Sequence, residues 1–148
     1  MQTLDDEMNF GRQVARIARF WRTELDRRLK PVGLSQARYV VLVLVAESGG
    51  LSQFEIAERA GIRGPTLVRQ LDQLTLDGLV LRVDVPGDRR TNRVEITDAG
   101  RELLDKARAV SLALRREALA GDAPADVRRT YDHLATIEQR LRRIMETA

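Results

Sequence analysis

The residues with most to do chemically lie between positions 52 and 93. Arg63, Gly64, Pro65, Thr66, Arg69 and Gln70 fall in one short stretch, and Asp88, Arg89, Arg90 and Arg93 gather near the tip of a second. A guanidinium is planar, permanently charged and rich in donors, so it suits paired acceptors such as guanine O6 and N7 or the oxygens of a phosphate. Gly64-Pro65-Thr66 opens a helix, with Pro65 in the first turn, where its missing N–H costs nothing. Arg69 then lies one turn past the helix start, placed to donate two hydrogen bonds to a guanine edge, a contact that discriminates by ~1–3 kcal/mol. Arg63 and Thr66 suit phosphate or mixed contacts, which position a protein on a duplex without specifying sequence. Ser52 and Gln53 open the preceding helix, where amides and a hydroxyl favour phosphate, although capping alone also accounts for Ser52. The shared chemistry is contact with double-stranded DNA.

Other chemistries lack their parts. The chain has no cysteine and one histidine, His133, so disulfides, thiolate sites and multi-histidine metal sites are excluded. Without a Gly-rich phosphate loop or a nucleophile–base pair, no enzyme and no cofactor are expected. The N-terminal segment MQTLDDEMNF is acidic, and no apolar run approaches the ~18 residues that cross a bilayer, so no membrane association is expected and the cytoplasm is the default.

The net charge of +3 is small, and its arrangement is more informative. Residues 9–30 hold seven basic groups against Glu24 and Asp26, whereas residues 52–101 balance eight basic with eight acidic groups. The segment that carries the candidate contacts is therefore neutral overall, with positive charge focused at Arg63 with Arg69 and at Arg89-Arg90-Arg93.

These side chains need a scaffold, and the remaining sequence describes one. Phe10, Val14, Ile17, Trp21, Leu25 and Leu29 recur at helical spacing, predicting a helix from about Asp5 to Lys30 that ends at Pro31 and Gly33. At ~25 residues it spans nearly 40 Å, more than one small core needs, so its apolar face suggests a partner. Tyr39 to Val45 is β-branched and apolar on every side. Propensity favours a strand, but its length between Gly33 and Gly49 and the want of a pairing strand favour a buried helix over about 35–47. Ser52-Gln53-Phe54-Glu55 has the form of a capping box, and Gly61 suits the end of that short helix. With the helix opened by Pro65, buried along Leu67, Leu71 and Leu74 and closed at Gly78, this makes a helix-turn-helix. Leu79–Val83 and Arg93–Thr97 read as strands of a hairpin, with Leu79, Leu81, Val94 and Ile96 inward and Pro86-Gly87-Asp88-Arg89-Arg90 at the tip. Thr97-Asp98 caps a long helix broken at Gly121, and Asp122 with Pro124 starts a last one whose apolar residues Val127, Tyr131, Leu134, Ile137, Leu141, Ile144 and Met145 run near a seven-residue period.

Together these residues resemble the MarR family of winged-helix regulators, most closely its SlyA-type branch. The match is carried by Arg27-Arg28-Leu29-Lys30-Pro31, Gly61-Ile62, Pro65 through Leu74, Gly78-Leu79, Asp88-Arg89-Arg90 and Ile96-Thr97. It covers nearly the whole chain in order, with the C-terminal helices matching as a pattern only. The resemblance implies a homodimer whose helix beginning near Pro65 enters the major groove while Arg90, held by Asp88, reaches the minor groove. Narrow A·T-rich minor grooves attract such an arginine. Arg89 and Arg93 then assist at backbone phosphates. The resemblance also implies a small aromatic carboxylate effector, with Arg19, Trp21, Arg22 and Tyr39 at the matching positions. Ala37 and Val43 stand where relatives present polar groups, which leaves room for a more apolar ligand or none. Trp21 also belongs to the apolar stripe, and the arginines also suit a solvated surface.

The expectation is thus a mainly α chain with a small β wing: a winged helix-turn-helix lobe over 34–97, and dimerisation helices over 1–33 and 98–148. Its expected role is that of a homodimeric, sequence-specific transcriptional regulator, a repressor among the options, on a pseudo-palindromic operator. The alternatives are an architectural or anti-silencing DNA binder with little sequence preference, or a protein-interaction module.

Overall fold

The computed structural model describes residues 2–147, without the side chains of residues 2–4 and 88–92. The chain forms two compact units, one reaching to Ser111 and one starting at Leu112. In order, the elements are α1 (Gln2–Leu29), a 3-10 turn (Lys30–Val32), α2 (Gln36–Ser48), α3 (Gln53–Ala60), α4 (Gly64–Leu76), β1 (Val80–Val85), β2 (Asp88–Ile96), α5 (Asp98–Ala118) and α6 (Pro124–Glu146). The chain is mostly helical with one two-stranded antiparallel sheet, as expected. No single helix among the described residues is long and apolar enough to cross a membrane.

In the first unit, α1 is buried only in its last turns, at Leu25 and Leu29. Its upper stripe is bare, with Phe10, Val14 and Ile17 between 39% and 53% exposed. The segment that propensity would make a strand is α2. Ser35 caps it by accepting the Arg38 N–H at 3.2 Å, and Val41, Leu42 and Val45 are buried. Burial on several sides outweighs the modest loss of χ1 freedom that β-branched residues suffer in a helix.

The capping box of α3 forms as expected, Ser52 Oγ accepting from Glu55 N while Glu55 Oε2 accepts from Ser52 N. On α4, Leu67, Leu71 and Leu74 are buried. The helix closes with Leu79 N donating to Leu74 O at 2.9 Å and Gly78 N to Thr75 O at 3.0 Å, the paired bonds of a Schellman motif. That closure corrects the register expected for the first strand. Leu79 belongs to the helix end, where it is buried as expected, whereas Leu81, expected inward, is 54% exposed and Val80 is the fully buried residue of the strand. The strands pair Val80 with Ile96 and Val85 with Asp88, with an irregularity between Val83 and Val85. Both strands run further toward the tip than alternation suggested, and Pro86-Gly87 alone makes the turn.

The hairpin is locked at its base. Thr97 N donates to Leu79 O at 3.1 Å, Thr97 Oγ1 donates to Gly78 O at 2.7 Å, and the same hydroxyl accepts from Gly100 N at 3.0 Å. Gly100 allows the approach, because a Cβ there would lie 2.1 Å from the Leu79 carbonyl oxygen.

In the second unit, the end of α5 turns at Gly121 into α6, whose first turn holds Pro124. The residue preceding α6 is Ala123, which offers no side-chain cap, so Asp122 does not cap it. No residue of α6 is buried, and Tyr131, Leu134, Leu141, Ile144 and Met145 are all exposed.

Replacing Gly100 with alanine forces backbone apart at this junction. Gly100→Ala is expected to cost at the upper end of the ~1–3 kcal/mol typical of overpacking, read as a lowered denaturation midpoint.

Candidate nucleic-acid interface

The helix α4 has one buried side and one side open to solvent. Leu67, Leu71 and Leu74 occupy one side, and at about 100° per residue the opposite side carries Pro65, Arg69 and Gln73 together with Leu76, which is 81% exposed. Arg63, Gly64, Pro65, Thr66 and Arg69 are exposed, and Gln70 is half-buried at the edge. Neither the Arg63 nor the Arg69 side chain has an ion-pair or hydrogen-bond partner among the described residues. Pro65 starts the helix and Arg63 stands at its cap position with extended backbone, so the first-turn amides of α4 point outward beside both residues.

Two neighbouring arginines are committed elsewhere, and the sequence reading missed both. Arg38 on α2 pairs with Asp77 at the end of α4 at 2.8 Å, and Arg82 on β1 pairs with Asp72 on α4 at 2.7 Å. Both pairs engage the C-terminal half of α4 and tie it to α2 and β1. They leave no local signature, because each joins residues at least ten positions apart. The Arg38 Nε is buried without a hydrogen-bond partner among the described residues.

Residues from separate stretches converge at the start of α3. The backbone of Arg93 on β2 bridges that of Ser52, and its side chain crosses Gly50, where a Cβ would come within 3.2 Å of Arg93 Cδ. Gly50 also holds φ at +114°, which L side chains rarely adopt. The wing base and the N-terminus of α3, with Ser52 and Gln53, are therefore in contact. The Arg93 side chain serves this joint as well as any DNA contact. The side chains of Asp88, Arg89 and Arg90 lie outside the described residues, and so does the pairing of Asp88 with Arg90; their backbone forms the tip end of β2.

The backbone N–H of Ser52, and then its hydroxyl, hydrogen-bond the Glu55 carboxylate and lower its pKa below the usual value. On α1, Glu24 is held at about 2, first by Arg27 and then by Arg28. Those two arginines are thereby engaged along the helix.

The four residues implied for an effector do not form one cluster. Arg19 and Trp21 are two residues apart on α1 and so point to different sides of it. Arg19 instead lies over the Phe20 ring, 5.3 Å from its centroid, and lines a concavity with Asn9, Arg12, Ala15 and Arg16. Arg22 is exposed, while Trp21 and Tyr39 are half-buried. Among the described residues no cluster of His, Asp and Glu is placed to hold a metal ion.

The capping box generates a pH-dependent expectation. Glu55 is lowered in the folded protein, so its contribution is present above its unfolded pKa and is lost as pH falls through the folded value. Ser52→Ala should therefore destabilise the protein at neutral pH, by a margin that shrinks on acidification. Denaturation at a series of pH values measures that margin, and carboxyl NMR should show Glu55 titrating nearer its ordinary value.

Residues 32–91 match the model of the MarR family. Among solved structures, the transcriptional regulator PA3341 is 37% identical, over 90% of this chain and 98% of its own, with a TM-score of 0.82. A MarR family transcriptional regulator from Rhodococcus sp. RHA1 is 30% identical, over 93% of this chain and 96% of its own, with a TM-score of 0.82. The transcriptional repressor CouR, solved bound to a 23-mer DNA duplex, is 32% identical, over 86% of this chain and 91% of its own, with a TM-score of 0.77. CouR from Rhodococcus jostii RHA1 has also been solved bound to p-coumaroyl-CoA, at 31% identity over 93% of this chain and 95% of its own, with a TM-score of 0.80.

Proposed function

The chain belongs to the MarR family of DNA-binding transcriptional regulators, and on that basis we propose that it works as a homodimer on a pseudo-palindromic operator. The observation that carries this reading is the division of α4, with Leu67, Leu71 and Leu74 buried and Pro65, Thr66 and Arg69 exposed. In the proposal, α4 enters the major groove with Arg69 on a guanine edge. Arg63, Thr66, Ser52, Gln53, Arg89 and Arg93 meet the phosphates, and Arg90, oriented by Asp88, enters the minor groove. CouR, solved on a DNA duplex, supports such docking.

The winged lobe over 34–97 is the reading head, and the helices over 1–33 and 98–148 are its dimerisation elements. Two bare apolar faces support the pairing, Phe10, Val14 and Ile17 on α1 and Tyr131, Leu134, Leu141 and Ile144 on α6. Exposed apolar surface of this extent is what a partner helix covers. A second copy presents the same faces, and a two-fold interface is self-complementary. The narrower SlyA-type placement rests on the motifs at Arg27–Pro31 and Asp88–Arg90. The proposed site of action is the cytoplasm, alongside the DNA.

An aromatic acid or a derivative of one is the proposed effector, in keeping with CouR bound to p-coumaroyl-CoA. Because Arg19 turns away from Trp21, a ring held by Trp21 and Tyr39 would draw its charge partner from Arg22.

Selection of the purified protein against a random duplex pool should enrich a two-fold symmetric site with half-sites about one turn, ~34 Å, apart. Enrichment of no symmetric site, with steep salt dependence alone, would overturn operator specificity in favour of an architectural binder. On the selected site at fixed salt, Arg69→Ala is expected to relax preference at one base position by ~1–3 kcal/mol. Arg90→Ala should weaken binding across many sequences alike, and equal, sequence-independent losses from both variants would reject this division of labour.

A further inference from the structure

One flank of α4 is neither core nor polar. Val68 is 41% exposed, and across from it on α3 Phe54 is 72% exposed. Between them lies a notch of about 380 Å³ lined mainly by Phe54, Ala57, Ile62, Leu67 and Val68, with Gly64 leaving it open at the α4 start. Val68 immediately precedes Arg69 and follows Pro65 by three residues, so it sits about 100° round the helix from Arg69, toward α3. A surface that meets DNA only through hydrogen bonds and ion pairs has no use for a bare phenylalanine and valine at this point. Base edges in the major groove present one apolar group, the 5-methyl of thymine, and apolar side chains contact it. The notch adjoins the Pro65 and Arg69 side of α4, Val68 lying about 60° round the helix from Pro65, and Gln53, at its α3 rim, is among the residues suited to phosphate. A nucleotide whose phosphate lies at the start of α3 would turn its base edge toward the gap between the helices.

We propose that Val68, with Phe54 opposite, is a specificity-determining contact that receives a thymine 5-methyl group, so that this notch reads thymine beside the base read by Arg69. The proposal rests on α4 entering the major groove. Its distinctive consequence is that recognition at this position depends on a methyl group and on no hydrogen bond. Uracil has the same hydrogen-bonding edge as thymine and lacks only the methyl.

The test uses the full-length protein and its selected operator, with each thymine replaced in turn by uracil. For the wild type, uracil at one or two positions per half-site should weaken binding about three- to fivefold, the effect of leaving one methyl unburied. Val68→Ala, checked for unchanged helicity and melting, should bind the thymine and uracil duplexes alike at those positions, and Phe54→Ala should blunt the same difference. Uracil that is tolerated within twofold at every position overturns the proposal. So does a Val68→Ala protein that keeps the full thymine preference, or one that loses affinity equally for both duplexes, because the residue then acts through packing or serves another partner. If selection yields no duplex at all, the reading of α4 fails first and this proposal falls with it; binding that ignores the methyl sinks the proposal alone.

Discussion

The wing is joined to the end of α4 at Thr97, through its hydroxyl and its amide together. Thr97 Oγ1 donates to Gly78 O and accepts from Gly100 N, while the Thr97 amide donates to Leu79 O. Four structural events thus meet within a few ångströms: the end of α4, the start of β1, the end of β2 and the start of α5. A threonine suits the junction because a single oxygen can donate and accept together. Gly100 suits it because any side chain would collide with the same carbonyl that Thr97 binds. A two-stranded hairpin is marginal in water by itself, so the wing takes its orientation from this anchor and from the Ser52–Arg93 bridge.

With the frame fixed, the arginines sort into two kinds. Arg38 and Arg82 are tethered to Asp77 and Asp72 and brace α4 between α2 and β1. These pairs are partly exposed and contribute little stability each; what they supply is orientation. Arg63 and Arg69 are exposed on the same helix with no described partner, which leaves their donors available to DNA. Among the acids that keep this segment neutral overall, Asp72 and Asp77 hold the two bracing guanidiniums. Acids are spent on holding some guanidiniums, and the rest stand out by position rather than by number.

The long helices raise a different physical problem. The upper half of α1 and all of α6 show apolar stripes that their own units do not cover. Their ion pairs, such as Arg128 with Asp132 and Arg142 with Glu138, run along the helix between adjacent turns and leave the apolar side untouched. A helix with one charged face knitted to itself and one bare apolar face is organised for burial against another helix. The proposed dimer answers that need.

The local grammar was legible in the chain itself. Caps at Ser35 and Ser52, the Pro65 start, the leucine spacing of α4 and the turn residues at Pro86-Gly87 act over four residues or fewer, so the sequence alone determined the elements, the mainly α fold class and the stretch that carries Arg69. Even the β-branched α2 was readable, from its bounding turns rather than its propensity. Tertiary structure decided everything that joins distant positions. It set β1 one residue out of the expected phase, because the end of α4 captures Leu79. It assigned Arg38 and Arg82 to bracing, laid Arg93 across Gly50, and opened the notch between Phe54 and Val68. Such choices depend on which surfaces packing brings within a few ångströms, and spacing along one chain encodes only the neighbours within a helical turn or a strand pair.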